Sequence, residues 1–159
     1  MAIRPKAKKN AMLKGNEGNV RSVSCGETMN QVHTMQHDDT MAQLLDAMTK
    51  NDWDHVFIID DEHVPLGRVH AVDLLKLISR KSVNRNIAWM HAVLAKDLIQ
   101  HPSLTVKTDT PLLKAGALML THDLNQLGVV NQFGELVGVV GHQTLARVIP
   151  RFVLNNNRD

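Results

Sequence analysis

The chain has 159 residues, 43% of them hydrophobic and 21% charged. That balance fits a globular domain, and no run approaches the roughly eighteen apolar residues a membrane-spanning helix needs. Its net charge of +2 is uneven: residues 1–21 hold Arg4, Lys6, Lys8, Lys9, Lys14 and Arg21 against Glu17, and the remainder is acidic. A basic arm of this kind can touch nucleic acid. With no Tyr, three Phe and two Trp, however, the chain lacks the stacking platforms of single-strand binders, so nucleic acid is disfavoured as a partner. The first residues carry the charges of a signal peptide without the apolar stretch that should follow, and the single Cys25 cannot form an internal disulfide; both favour a cytoplasmic location.

Residues 1–26 read as a basic, disordered arm, because Asn10 to Gly26 are small, polar and glycine-bearing, and Cys25 falls within it. A short strand is expected over Gln31 to Gln36, followed by a helix over Met41 to Lys50 with Asp38, Asp39 or Thr40 as its N-cap. The β-branched run His55 to Ile59, a turn at Asp60 to His63 and the segment Pro65 to His70 form a hairpin. A second helix runs from Ala71 to about Ser79. Arg80 to Asn86 is a polar, basic connector, and Ile87 to Leu94 begins a short helix that ends near Leu98, with Pro102 as breaker.

The order then recurs. A strand over Leu104 to Lys107 leads to a helix with Asp109 or Thr110 as cap and Pro111 in its first position, reaching about Thr121. A hairpin follows, with strands Leu127 to Val130 and Leu136 to Gly141, and then a helix stopped by Pro150. Gly67 falls on Gly138, Thr34 on Thr105, Met48 on Met119 and Asp52 on Asp123, always 71 positions apart. The register holds without insertion, so the chain is a duplication. Each copy reads βαββα. The crossover helix makes its first two strands parallel, the tight turn makes the last two antiparallel, and one sheet face is left bare. Two such sheets can cover each other, giving an α+β pair related by a pseudo-two-fold with helices on the outer faces. The boundaries are 27–98 for the first copy with its connector, 99–152 for the second, and 153–159 for a polar tail. Over Leu112 to Leu120 only Lys114 is charged, so the helix there is apolar all round and its spare side is expected to meet a second protomer, giving a homodimer.

Two copies in register, a glycine before the last strand and a following segment of G-h-x-[S/T]-x-x-[D/N] type resemble a tandem cystathionine-β-synthase (CBS) domain pair, over roughly Val32 to Ile149. The resemblance implies a non-catalytic regulatory module that dimerises through helices and binds an adenosine nucleotide (AMP, ADP or ATP) in clefts between the repeats, passing its state to a regulated protein that the sequence does not name. It also implies roles: the motif's hydroxyl residue meets phosphate and its acid meets ribose hydroxyls. In the first copy the motif is Gly67, Arg68, Val69, His70, Ala71, Val72, Asp73, with Asp73 as the acid and His70 in place of the hydroxyl. His55, Val56 and Phe57 are candidates to line an adenine slot, although a core strand calls for the same residue types and core is the favoured single explanation; Thr34 and Val69 complete the expected ligand set. Arg68 could neutralise a phosphate or sit on a solvated strand face, the second being the favoured reading. The second copy ends Gly138, Val139, Val140, Gly141, His142, Gln143, Thr144 and departs at both motif positions.

Chemistry of other kinds is weakly signalled. There is no Walker A, GxGxxG or GxSxG sequence. The best metal cluster, His33 and His37 with Asp38 and Asp39, lacks helical ligand spacing, so a histidine and metal-dependent enzyme ranks third, behind a CBS-fold scaffold that binds no ligand.

Overall fold

A computed structural model describes residues 23–80 and 87–155. The basic arm up to residue 22, most of the basic connector and the last four residues lie outside them. The described elements are α1 (Cys25–Thr28), β1 (Thr34–Gln36), α2 (Met41–Asn51), β2 (His55–Ile59), β3 (Pro65–His70), α3 (Ala71–Ile78), β4 (His101–Pro102), β5 (Thr105–Lys107), α4 (Leu112–Thr121), β6 (Gln126–Val130), β7 (Leu136–Gly141) and α5 (His142–Asn155). Two 3-10 turns, Ile87–His91 and Ala95–Leu98, stand where the sequence predicts a short helix. The chain divides into two compact units, one of residues 31–105 with 130–137 and the other of residues up to 30 with 106–129 and 138 onward.

Both copies have the predicted βαββα order. In the first, β1 runs parallel to β2, β2 antiparallel to β3, and the two-residue β4 adds an antiparallel edge beside β3. The second sheet has the order β5-β6-β7. Alternation along the first sheet sends Val56, Ile58 and Val69 into a core with Met41, Leu44, Met48 and Leu74 from α2 and α3. Phe57 and Arg68, paired across β2 and β3, therefore belong to the opposite face.

Repetition extends to details of hydrogen bonding. Helix α2 ends with Asp52 at φ 55° and a bond from Trp53 N–H to Met48 O of 2.9 Å; after α4, Asp123 has φ 52° and Leu124 N–H bonds Met119 O at 2.8 Å. This is the left-handed C-terminal closure that satisfies orphan carbonyls. The two hairpin turns also match. Asp60 Oδ1 accepts from the N–H groups of Glu62 and Val64, and Asn131 Oδ1 accepts from those of Phe133 and Glu135. Each turn then places one residue at positive φ, His63 at 67° and Gly134 at 79°.

Four local expectations need correction. The strand expected over Gln31 to Gln36 pairs only from Thr34, and Asn30 before it is bridged to Val139. Pro111 is the N-cap of α4 rather than its first residue: its ψ is 136°, Leu112 N–H bonds Val23 O, and the Thr110 hydroxyl accepts from Lys107 N–H. Pro150 lies inside α5, whose helix continues to Asn155. A proline removes one backbone donor and crowds the carbonyl a turn back, which weakens or bends a helix without obliging it to end. Finally, Cys25 is fully buried in α1, its N–H held by Thr110 O at 2.8 Å, and desolvation pushes its thiol up to about 11.

Candidate functional site

The first copy's site grows from the end of β3. Gly67 is required there by close approach: a Cβ would run into the Ile99 side chain and lie 2.8 Å from His101 O. That contact lets β4 pair with β3 and sets His101 opposite Arg68. The ladder then ranks side chains on the face away from the core. Thr34, Phe57, Arg68 and His101 are register partners across β1, β2, β3 and β4, and His55 and His70 form the next rank. Of the residues predicted to bind ligand, Thr34, Phe57 and His70 share this face, whereas Val56 and Val69 have side chains in the core behind it.

Asp73 joins them from the first turn of α3. His70 is that helix's N-cap residue and makes no side-chain capping bond, so its ring is free to turn along the sheet. Three imidazoles result in a row: the ring centroids of His55 and His70 are 5.8 Å apart, and those of His70 and His101 4.8 Å. A carboxylate closes each end. His55 Nδ1 lies 2.6 Å from Asp54 Oδ1, and His101 Nε2 lies 3.0 Å from Asp73 Oδ2. Burial, and then the charge of Arg68, hold His70 below the ordinary histidine range; Asp73 opposes them. The hydrogen bond from His55 draws Asp54 below the usual carboxylate range.

Arg68 is the residue the sequence placed wrongly. It is 6% exposed rather than solvated, and burial lowers its pKa. Among the described residues its one recorded partner is the Phe57 ring, with the guanidinium carbon 6.0 Å from the centroid. His101 was missed altogether; it is the register equivalent of Asn30, which is bridged to β7 as His101 is paired with β3.

The second copy fills the same positions with neutral groups. Thr144, the register equivalent of Asp73, accepts from Asn30 Nδ2 at 3.2 Å and from Gly141 N–H at 3.0 Å. Arg147 then ties Asn30 Oδ1 and Thr28 O. These groups satisfy one another, whereas the first copy keeps ionisable ones. A small cavity of about 120 Å³ lies beside Asp73, among Lys76, Leu77, Arg80, Leu98 and Gln100. That is below the roughly 300 Å³ at which ligand pockets usually begin.

The cluster considered for metal does not converge. His33 stacks on Trp53 with centroids 4.3 Å apart, His37 pairs with Asp61 at 3.0 Å, and Asp39 accepts from Gln36 N–H. Among the described residues no three His, Cys, Asp or Glu side chains are placed to hold a metal ion, and no helix is long and apolar enough to cross a membrane.

Comparison with known proteins gives a consistent picture. A family model described as the CBS domain matches residues 20–80 and 95–151. The uncharacterized protein MK0525 of Methanopyrus kandleri is 27% identical over 135 residues, which is 84% of this chain and 66% of that protein. The L-aspartate semialdehyde sulfurtransferase of Methanocaldococcus jannaschii is 27% identical over 56 residues, 35% of this chain and 11% of the enzyme. The chain thus spans just under two thirds of the first relative and about a tenth of the second. Among solved structures, the CBS-pair protein CBSX2 of Arabidopsis thaliana has a TM-score of 0.68 at 22% identity, covering 84% of this chain and 97% of that one. CBSX2 in complex with AMP has a TM-score of 0.67 at 22% identity, covering 82% and 98%. The cytosolic domain of the Mg2+ channel MgtE in complex with ATP has a TM-score of 0.64 at 18% identity, covering 79% and 48%. At these identities the likeness is one of fold.

Proposed function

The chain belongs to the CBS domain family, and on that premise we propose that it is a non-catalytic, cytoplasmic regulatory module whose first repeat binds an adenosine nucleotide. The observation that carries the reading is the joint presentation of Asp73 and an uncapped His70 at the start of α3, beside Thr34 and Phe57. A carboxylate accepts hydrogen bonds from a cis-diol, and a helix start favours an anion. AMP, ADP and ATP all carry these features, and AMP or ATP occupies the CBSX2 and MgtE structures named above.

Signalling follows from differential affinity. A nucleotide that prefers one conformation of the module shifts its population, and a regulated protein that reads that conformation senses the nucleotide. Homodimerisation supplies a second surface. Leu113 and Leu120 leave 39% and 79% of their area exposed on α4, apolar surface suited to a copy of itself.

The ligand-free scaffold remains a competing reading, favoured by one observation: His101 already occupies Asp73 Oδ2. Thermal shift with AMP, ADP, ATP and S-adenosylmethionine separates the two. A nucleotide-dependent rise in melting temperature that Asp73→Ala removes supports sensing, and no shift at any saturating concentration supports the scaffold.

A further inference from the structure

The contact that covers Asp73 in the first copy has a counterpart in the second, and the two are held differently. His101 of β4 reaches Asp73 of α3 at 3.0 Å. Asn30 and Thr144, the register equivalents of that pair, are joined at 3.2 Å. There a brace locks the contact: Arg147 donates to Asn30 Oδ1 at 2.7 Å and to Thr28 O at 2.8 Å. The register equivalent of Arg147 is Lys76. It lines the small cavity beside Asp73 and, among the described residues, holds neither His101 nor the backbone before it.

Strand β4 is also lightly seated. It pairs with β3 through two residues, one of them a proline with no N–H to give. His101 keeps 45% of its side chain exposed, over an Asp73 that is 17% exposed. Directly after β4, Ser103 Oγ is sealed and without a partner, and an unpaired buried hydroxyl favours any state in which water reaches it. Anchored chain bounds the strip on both sides, with Leu98 in the core before it and Val106 of β5 buried after it. A displacement of β4 is therefore confined to a few residues and is handed along the backbone to the second repeat. With His101 in place, Asp73 has one oxygen taken and about 120 Å³ of space beside it, too little for a ligand of nucleotide size. A ligand that takes the carboxylate has to displace the imidazole.

We propose that His101 is an autoinhibitory latch on the first-copy site. Closed, it occupies Asp73; a ligand that takes Asp73 releases β4, and the released strand carries the ligand's presence along the chain into the second repeat. The second copy, braced by Arg147, is the locked form of the same contact. The latch rests on the nucleotide reading above and adds to it a self-blocking contact and the element that moves.

The test uses the full chain, with His101→Ala to remove the latch and the double variant His101→Asn with Lys76→Arg to copy the braced contact of the second repeat. In calorimetric titration with AMP and ATP, His101→Ala is expected to bind at least about threefold more tightly than the wild type, and the double variant at least about threefold more weakly. Saturating nucleotide should speed hydrogen exchange across residues 101–105 of the wild type, and His101→Ala should exchange fast there without ligand. If His101→Ala bound nucleotide equally well or more weakly, or if nucleotide left exchange over 101–105 unchanged or slowed it, the latch would be overturned with the nucleotide site intact. Binding detected only in His101→Ala would support the latch in its tightest form. No binding by the wild type or by His101→Ala overturns both the latch and the nucleotide reading.

Discussion

The two hairpin turns make a paired prediction, because the position of positive φ is His63 in one and Gly134 in the other. His63 and Gly134 occupy equivalent positions at φ 67° and 79°, inside turns closed by the same hydrogen bonds. A left-handed backbone costs a residue with a Cβ about 1–2 kcal/mol, while glycine gives up roughly 0.5–1 kcal/mol of extra chain entropy on folding. The difference sets the net effect. His63→Gly should stabilise the chain by about 0.5–1 kcal/mol, from strain relieved less entropy lost. Gly134→Ala should destabilise it by a similar amount, from backbone strain less the chain entropy glycine costs, with no steric contribution because nothing lies within 4 Å of a Cβ built there. Urea denaturation with unchanged m-values would measure both, and melting temperatures should move in opposite directions by a few degrees. The reasoning fails if His63→Gly is destabilising, or if both variants shift the same way.

Three further outcomes follow from packing and charge. Thr40 closes a capping box with Gln43 at the start of α2, so Thr40→Ala should lose about 1 kcal/mol in the same denaturation assay; a change near zero would mean the box adds nothing. His70 is held neutral by burial, so its folded-state pKa lies below its unfolded one, and the unfolded chain binds the proton first as pH falls. Stability should therefore decline as pH drops below about 6.5, and His70→Gln should flatten that decline; an unchanged pH profile would remove His70 as its cause. Cys25, buried and with its thiol pushed up to about 11, should resist thiol reagents at neutral pH until the chain unfolds. Rapid labelling of the native protein would contradict its placement.

The sequence carried the repeat plan because its signals are local. The β-branched run His55 to Ile59, the Asp60 and Asn131 turns, and Asp52 and Asp123 after their helices each act within a few residues, so a 71-residue register exposes them. It also placed Asp73 and His70 together at a helix start. What it hid depends on distant chain. A two-residue strand such as β4 has no periodicity to read, so His101 gave no sign of reaching Asp73 from 28 positions away. Arg68 looked like a surface residue because burial of a strand face is decided by tertiary packing rather than by neighbours in sequence. For Val56 and Val69 a core strand and a binding slot call for the same side chains, and their place in the pleat puts both in the core.

Isothermal titration of the full chain with AMP, ADP and ATP tests the central claim most directly, run on the wild type, Asp73→Ala and Thr144→Ala. The account predicts one nucleotide per chain, affinity weakened at least about tenfold by Asp73→Ala, and affinity kept by Thr144→Ala because the second copy's groups are spent on one another. Saturating titrations that give no binding heat at several temperatures, or binding lost through Thr144→Ala and untouched by Asp73→Ala, would contradict it.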